Sequence, residues 1–244
     1  MLLTTQGLVL HTTPYSDSSL IANVFTRELG LKSYIVKGIG RSQKAPRRNL
    51  LQPLSHLEMT VYNNPRKEVQ YVKEIHSTPT PRAYQTTSLT AQNLANLKFF
   101  ACELLYRSLS PDQPNQSLFD YTTQSLGAID LQSNSVAHFP IRYMLGLAEH
   151  LGIQPLDDYS PNTPHFDLRE GHFTQPARHN ETAQYHVNAD LSLMLHHYLS
   201  GNTPQCSFTQ RSALLNTLLD YYNIHLPNFN TFNSANIIHE ILHT

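Results

Sequence analysis

The densest chemistry in the chain is a run of cations. Lys37, Arg41, Lys44, Arg47 and Arg48 stand within twelve residues that hold no acid. Lysine and arginine neutralise phosphates and release condensed counterions, which gives affinity for nucleic acid irrespective of base sequence. Gly38, Gly40 and Pro46 interrupt any regular pattern here, so a loop must carry the run and can follow a backbone. Arg66, Lys67 and Lys73 are weaker candidates for the same role. Tyr34, Tyr62 and Tyr71 would offer stacking planes for bases if they point outward, although a lone tyrosine more often fills a core or its rim. Charge runs are usually solvated faces. A five-to-zero bias in a chain with only 14% charged residues favours phosphate binding instead.

Other reactive residues point nowhere so definite. Cys102 and Cys206 are the only cysteines, too few for a disulfide scaffold or a four-thiolate zinc site. Cys102 lies among Phe99, Phe100 and Leu104 and reads as core. Cys206 precedes a helix start, which lowers a thiol pKa, but no basic residue adjoins it and it reads as inert. His165, His172, His179 and His186 recur every seven residues, yet Pro164, Gly171 and Pro176 forbid a continuous helix through them. A folded insertion could still bring two together. His196 and His197 point apart on a helix. Asp157-Asp158 reads as a solvated turn. The nucleotide loops, G-x-S-x-G and H-E-x-x-H are all absent. No nucleophile, base and orienting group can be assembled, so neither catalysis nor a cofactor or metal is expected.

The elements that must position the cations come in two kinds. About five strands fit into the first eighty residues: one through Leu8-Val9-Leu10, then Leu20–Thr26, Leu31–Val36, Leu50–Tyr62, and Glu68–Ile75. The polar stretch His11–Asp17 reads as a loop and Glu28-Leu29-Gly30 as a turn. Leu57, Met59 and Val61 share one face, and Val69, Tyr71, Lys73 and Ile75 another. A five-stranded barrel of the oligonucleotide/oligosaccharide-binding type (OB-fold) fits; a small sandwich or SH3-like barrel fits nearly as well. Pro79 and Pro81 mark a boundary. Helical periods follow around 94–108, 118–131, 141–151, 191–199, 212–224 and 235–242, and 156–182 reads as an irregular insertion with a short hairpin near Phe166–Phe173. The class is thus α+β multidomain: a barrel domain over 1–80, then an all-helical domain over 81–244.

With 244 residues and a 40% hydrophobic share, the chain can bury a core in one large or two small domains. The start lacks a signal-peptide pattern and no run matches the ~20 apolar residues of a spanning helix. A reduced, cytoplasmic setting is expected. The net charge of −1 alone argues against a nucleic-acid partner. Split at the prolines it becomes +5 for residues 1–80 and −6 for the rest. A basic barrel is joined to an acidic helical body.

Several pieces then resemble RecO, the bacterial recombination mediator. They are Gly7-Leu8-Val9-Leu10, Tyr15-Ser16-Asp17-Ser18-Ser19-Leu20, Phe25-Thr26-Arg27-Glu28-Leu29-Gly30, Val36-Lys37-Gly38 before the basic stretch, and Leu51-Gln52-Pro53-Leu54. Leu151-Gly152-Ile153-Gln154-Pro155, Leu218 to Pro227 and Phe232-Asn233-Ser234 continue the likeness. The resemblance implies an OB-fold followed by a helical domain, binding of single- and double-stranded DNA, strand annealing, and help to the recombinase, RecA, on strands coated by single-strand-binding protein. RecR is the implied partner, and the implied location is the cytoplasm, on the nucleoid. Many members carry a four-cysteine zinc module after the Leu-Gly-x-x-Pro motif. Leu156–Thr182 has no cysteine, so this insertion is expected to hold its shape by packing and backbone pairing. The competing reading is an OB-fold interaction module that binds a protein or oligosaccharide.

Overall fold

The computed structural model describes residues 1–39, 50–78, 88–129, 133–176, 184–229 and 232, without the side chains of 88–93 and 133–135. Five strands come first: β1 (Leu2–Ser16), β2 (Ser19–Thr26), β3 (Gly30–Lys37), β4 (His56–Tyr62) and β5 (Val69–Ser77). They close into a barrel in the order β1-β2-β3-β5-β4, with β3 and β5 parallel and the other pairs antiparallel. This is the expected OB-like barrel. Closure excludes a sandwich, and the parallel pair separates the fold from all-antiparallel small barrels.

Val9, Val24, Tyr34, Val36, Leu57, Met59, Val61 and Ile75 fill the interior. The alternation of Leu57, Met59 and Val61 is therefore read correctly. The stretch His11–Ser16 is a correction. It is not a loop but the far half of β1, paired with β2 from His11↔Asn23 to Ser16↔Ser19. Its polar side chains are compatible with a strand because the pairing uses backbone groups, whatever the side chains. Bulges at Leu10 and Tyr15 bend it. The face assignment in β5 is corrected too. Gln70 and Val72 face inward and Tyr71 outward, and Lys73 is skipped in the pairing with β4. That bulge resets the phase, so Ile75 returns to the core.

The chain forms two compact units, Met1–Thr86 with Cys102–Gly127, and Thr87–Ala101 with Ala128–Thr244. Helix α1 (Ser88–Ser108) contributes to both, and α2 (Gln116–Ile129) mostly to the first. In the first unit, Cys102–Gly127 covers the outer face of β1 and β2. Phe119 packs 5.6 Å from Phe25, Cys102 Sγ donates to the Leu10 carbonyl at 3.1 Å, and Asn23 Nδ2 donates to Tyr106 Oη at 2.9 Å. Burial pushes the Cys102 thiol up to about 12, as expected of a core cysteine. Gly30, at φ +70°, admits the backbone of Gln113, whose carbonyl would lie 2.5 Å from any Cβ there.

The second unit contains α3 (Phe139–Leu151), a hairpin of β6 (His165–Asp167) and β7 (His172–Thr174), α4 (Ala189–Leu199) and α5 (Phe208–His225). The helix read over 235–242 lies outside the described residues. The motif Leu218–His225 ties the unit together through α5. Tyr222 Oη donates to Met144 O at 2.6 Å, Tyr221 Oη to Ile153 O at 2.8 Å, and His225 Nε2 to Leu168 O at 2.8 Å. Gly152, at φ +75°, ends α3, and the Ile153 N–H reaches back to Ala148 O.

Within the insertion the buried carboxylate of Asp167 organises the hairpin turn. Its Oδ1 accepts the N–H groups of Arg169 and Glu170 at 2.8 and 3.1 Å, and His186 Nε2 lies 3.2 Å from its Oδ2. Asp158 Oδ1 accepts the Phe173 N–H at 2.8 Å, and Phe166, Phe173 and Tyr159 pack edge to face. Of the seven-spaced histidines, His165 and His186 do meet, with ring centroids 6.5 Å apart, while His179 lies outside the described residues. Among the described residues no group of three or more His, Cys, Asp or Glu side chains could hold a metal ion.

Asp167→Ala should lower stability by about 1–3 kcal/mol, because it orphans two amides of the turn. Denaturant unfolding of the variant against the parent measures this. A second expectation concerns His56, whose ring packs 5.8 Å from Phe119 and whose pKa burial lowers. A histidine held below its unfolded pKa stays neutral while the unfolded chain takes up a proton. Stability should therefore fall as pH drops through the unfolded value of ~6.5 and level off below the folded one. His56→Phe should flatten that part of the profile in thermal unfolding between pH 8 and 5.

Candidate nucleic-acid interface

The cations read from sequence divide sharply in their surroundings. Arg41, Lys44, Arg47 and Arg48 lie outside the described residues. The chain on either side of them is well anchored. Ile39 and Leu51 are both sunk in the barrel core, and the Ile39 N–H donates to Ser18 O at 3.0 Å. On the return side, Leu54 N–H donates to Val9 O at 2.7 Å and Val9 N–H to Ser55 O at 3.2 Å. The motif Leu51-Gln52-Pro53-Leu54 is thus the anchor of the basic run's return. Leu54 takes φ +58°, a left-handed turn into β4.

Lys37, the first cation of the run, ends β3 and is exposed. The parallel register sets Ile35 beside Tyr71 of β5. Lys37 comes two residues later on the same face, and its Nζ lies 5.3 Å from the Tyr71 ring centroid. Lys67, in the turn between β4 and β5, brings its Nζ to 5.7 Å from the same centroid. Cations at such distances are drawn to the ring face. Residues 30 positions apart in sequence therefore share one aromatic ring.

The turn carrying Arg66 and Lys67 is fixed from inside. Gln70 is 1% exposed, and its amide serves that turn. Its Nε2 donates to Asn64 O at 2.8 Å and Lys67 O at 2.5 Å, and its Oε1 accepts the Asn64 N–H at 2.9 Å. Asn64 Oδ1 in turn accepts the Arg66 N–H at 3.1 Å. A buried amide with three bonds to one turn holds both basic residues in place. Sequence reading missed Gln70, and a polar residue inside a strand pattern is the only signal it offered.

Lys73 is exposed beside Glu74, its Nζ 3.3 Å from Oε1, so its charge is largely cancelled locally. Two further barrel cations are committed elsewhere. Arg27 pairs with both oxygens of Asp120 at 2.8 and 2.9 Å, which holds the Asp120 carboxyl below its usual range. Lys32 lies 2.5 Å from Asp112. Of the three tyrosines, Tyr34 is fully buried and offers no plane, whereas Tyr62 and Tyr71 are 47% and 38% exposed. The first unit as a whole holds twelve basic and eight acidic residues, and the second five and ten.

Comparison with known proteins agrees with this architecture. The family model described as "Recombination protein O N terminal" matches residues 1–79, and "Recombination protein O C terminal" matches 98–231. The chain is 30% identical to the DNA repair protein RecO of Bacteroides fragilis over 99% of each chain. It is 28% identical to that of Flavobacterium johnsoniae and 26% to that of Azobacteroides pseudotrichonymphae, again over 99% of each chain. A basic OB-like barrel followed by a helical region, with these relatives, defines a protein of DNA repair and recombination. The chain belongs to the RecO family. Among the described residues no helix is long and apolar enough to cross a membrane.

Gln70→Ala should cost about 1–3 kcal/mol by taking the partner from the Asn64 N–H and the Lys67 carbonyl, while the Asn64 carbonyl keeps the Lys67 N–H at 3.0 Å. It should also speed amide exchange at Asn64 and Lys67 by more than at core positions of β4, as hydrogen exchange resolved by residue would record.

Proposed function

We propose that this protein is a non-enzymatic recombination mediator that binds single- and double-stranded DNA through its barrel. It anneals complementary strands and helps load the recombinase RecA onto single strands coated by single-strand-binding protein, with RecR as partner. Its place is the cytoplasm, on the nucleoid. Lys37, Arg41, Lys44, Arg47 and Arg48 contact phosphates, Arg66 and Lys67 extend the contact, and Lys73 contributes least because Glu74 adjoins it. Residues 1–80 act as the DNA-binding domain. Residues 81–244 act as the docking body for protein partners, kept off DNA by their negative charge.

One observation carries this reading. The residues that flank the basic run, Ile39 and Leu51, are both core residues of an OB-like barrel, so the run is tethered to the barrel at both of its ends. A loop anchored at both sides loses less conformational freedom on binding than a free basic tail. The excess of cations in residues 1–80 gives the same direction of approach to a polyanion.

The triple variant Lys44→Ala, Arg47→Ala, Arg48→Ala should weaken binding alike for unrelated DNA sequences. It should also reduce the slope of log affinity against log salt, by up to ~0.7 per contact on single strands. Fluorescence anisotropy with a labelled oligonucleotide over a salt series measures both. Unchanged affinity and slope remove this loop from the interface.

A further inference from the structure

The outer surface of the barrel opposite the β1–β2 cover carries a row of apolar and aromatic side chains in register. Tyr71 of β5 pairs with Tyr62 of β4, and Tyr62 with Leu2 of β1. Alternation sets all three outward, since the flanking Val61 is buried in the core and Gln70 is 1% exposed. Leu2, Tyr62 and Tyr71 are 46%, 47% and 38% exposed, three large apolar side chains presented to water side by side. Strand neighbours are ~4.8 Å apart, so the two rings lie within reach of successive planar groups. Lys37 and Lys67 bracket the row at its Tyr71 end, each within 6 Å of that ring.

A stripe that only solvates the barrel has no need of aromatic rings, and a stripe that only neutralises phosphates needs cations alone. Rings at strand spacing beside ammonium groups match a strand whose bases are unpaired, with stacking on the rings and phosphates near the lysines. A duplex keeps its base faces buried in its own stack and offers phosphates, sugars and groove edges instead.

We propose that Tyr62 and Tyr71 form a base-stacking platform that distinguishes unpaired bases from duplex, with Lys37 and Lys67 holding the flanking phosphates. The proposal rests on the DNA-binding reading above and adds strand selectivity to it. A base taking a face of the Tyr71 ring displaces an ammonium group from it toward the adjoining phosphate, so ring and cations act together.

The chain has no tryptophan, which supplies the test. Tyr71→Trp creates a single tryptophan at the platform, excited selectively over the tyrosines. A single-stranded 20-mer should quench and shift its emission, and a blunt duplex of the same sequence should do so far less. Tyr71→Ala should lower single-strand affinity roughly five- to a hundredfold. Its salt slope should stay that of the parent, because the ring neutralises no phosphate, and Tyr71→Phe should keep most of the affinity. Lys37→Ala with Lys67→Ala should instead reduce the slope. Tyr71 is exposed, and matching thermal unfolding of the variants confirms that they fold. Equal affinity in Tyr71→Ala, or equal quenching of Tyr71→Trp by duplex and single strand, overturns the platform. If the lysine pair alone matters, phosphate binding stands without stacking. If the parent binds no DNA at all, the DNA-binding reading falls and the platform with it.

Discussion

One constraint governs the barrel: β1 must pair along both of its edges. Its first half pairs with β4 from Leu2↔Tyr62 to Leu8↔His56, and its second half with β2 from Gly7↔Thr26 onward. Around Gly7 and Leu8 the strand is held on both sides, where a closed sheet curves most. A Cβ at Gly7 would lie 2.6 Å from Val24 Cγ1 and 3.1 Å from Met59 Cε, so glycine is what lets the strands meet across the interior. The bulge at Leu10 supplies the remaining bend. Once β1 closes one seam, β3 and β5 must close the other, in parallel. That second seam brings Lys37 beside Tyr71. Lys37, the ring and the Gln70-braced turn come together as a consequence of closure.

The same closure leaves β1 and β2 with an apolar outer face. Leu8, Leu10 and Phe25 are buried yet are not part of the barrel interior. Residues 102–127 cover them, and the cover is electrostatically specific. Asp120 and Asp112 meet Arg27 and Lys32, so two of the barrel's ten cations are neutralised on the covered side. Lys37 and Lys67, near the surface stripe, sit on the β3–β5 side. Charge and burial thus divide the barrel surface into a packed side and an open side.

In the second unit, backbone-directed polar groups hold the insertion in shape. The Asp167 carboxylate, the Asp158 carboxylate and the α5 hydroxyls each satisfy groups that a short, irregular segment cannot satisfy by itself. Each such bond is modest, but leaving the group unmade inside a packed unit is costly. Cross-linking of the insertion is therefore distributed over several side chains and an aromatic cluster of Phe166, Phe173, Tyr159 and Tyr221.

The sequence by itself determined a five-stranded first domain, helices after it, the hairpin in the insertion and the basic run, while the choice of a closed barrel over a sandwich came from the structure. These follow from local signals: alternation at Leu57, Met59 and Val61, three-four spacing in the helices, and the glycines and proline around the cations. It also determined the family, through motifs that turn out to be structural, such as Gly7 at the seam, Leu51–Leu54 at the loop anchor and Leu218–His225 tying the second unit. Only the tertiary structure decided which tyrosines face out and which cations are already paired. It also decided that His11–Ser16 is strand. The reason is physical. A bulge moves every later side chain to the opposite face, and the partner of Arg27 lies 93 residues away. Facing and pairing across the sheet are set by register and closure, which no local window of sequence contains.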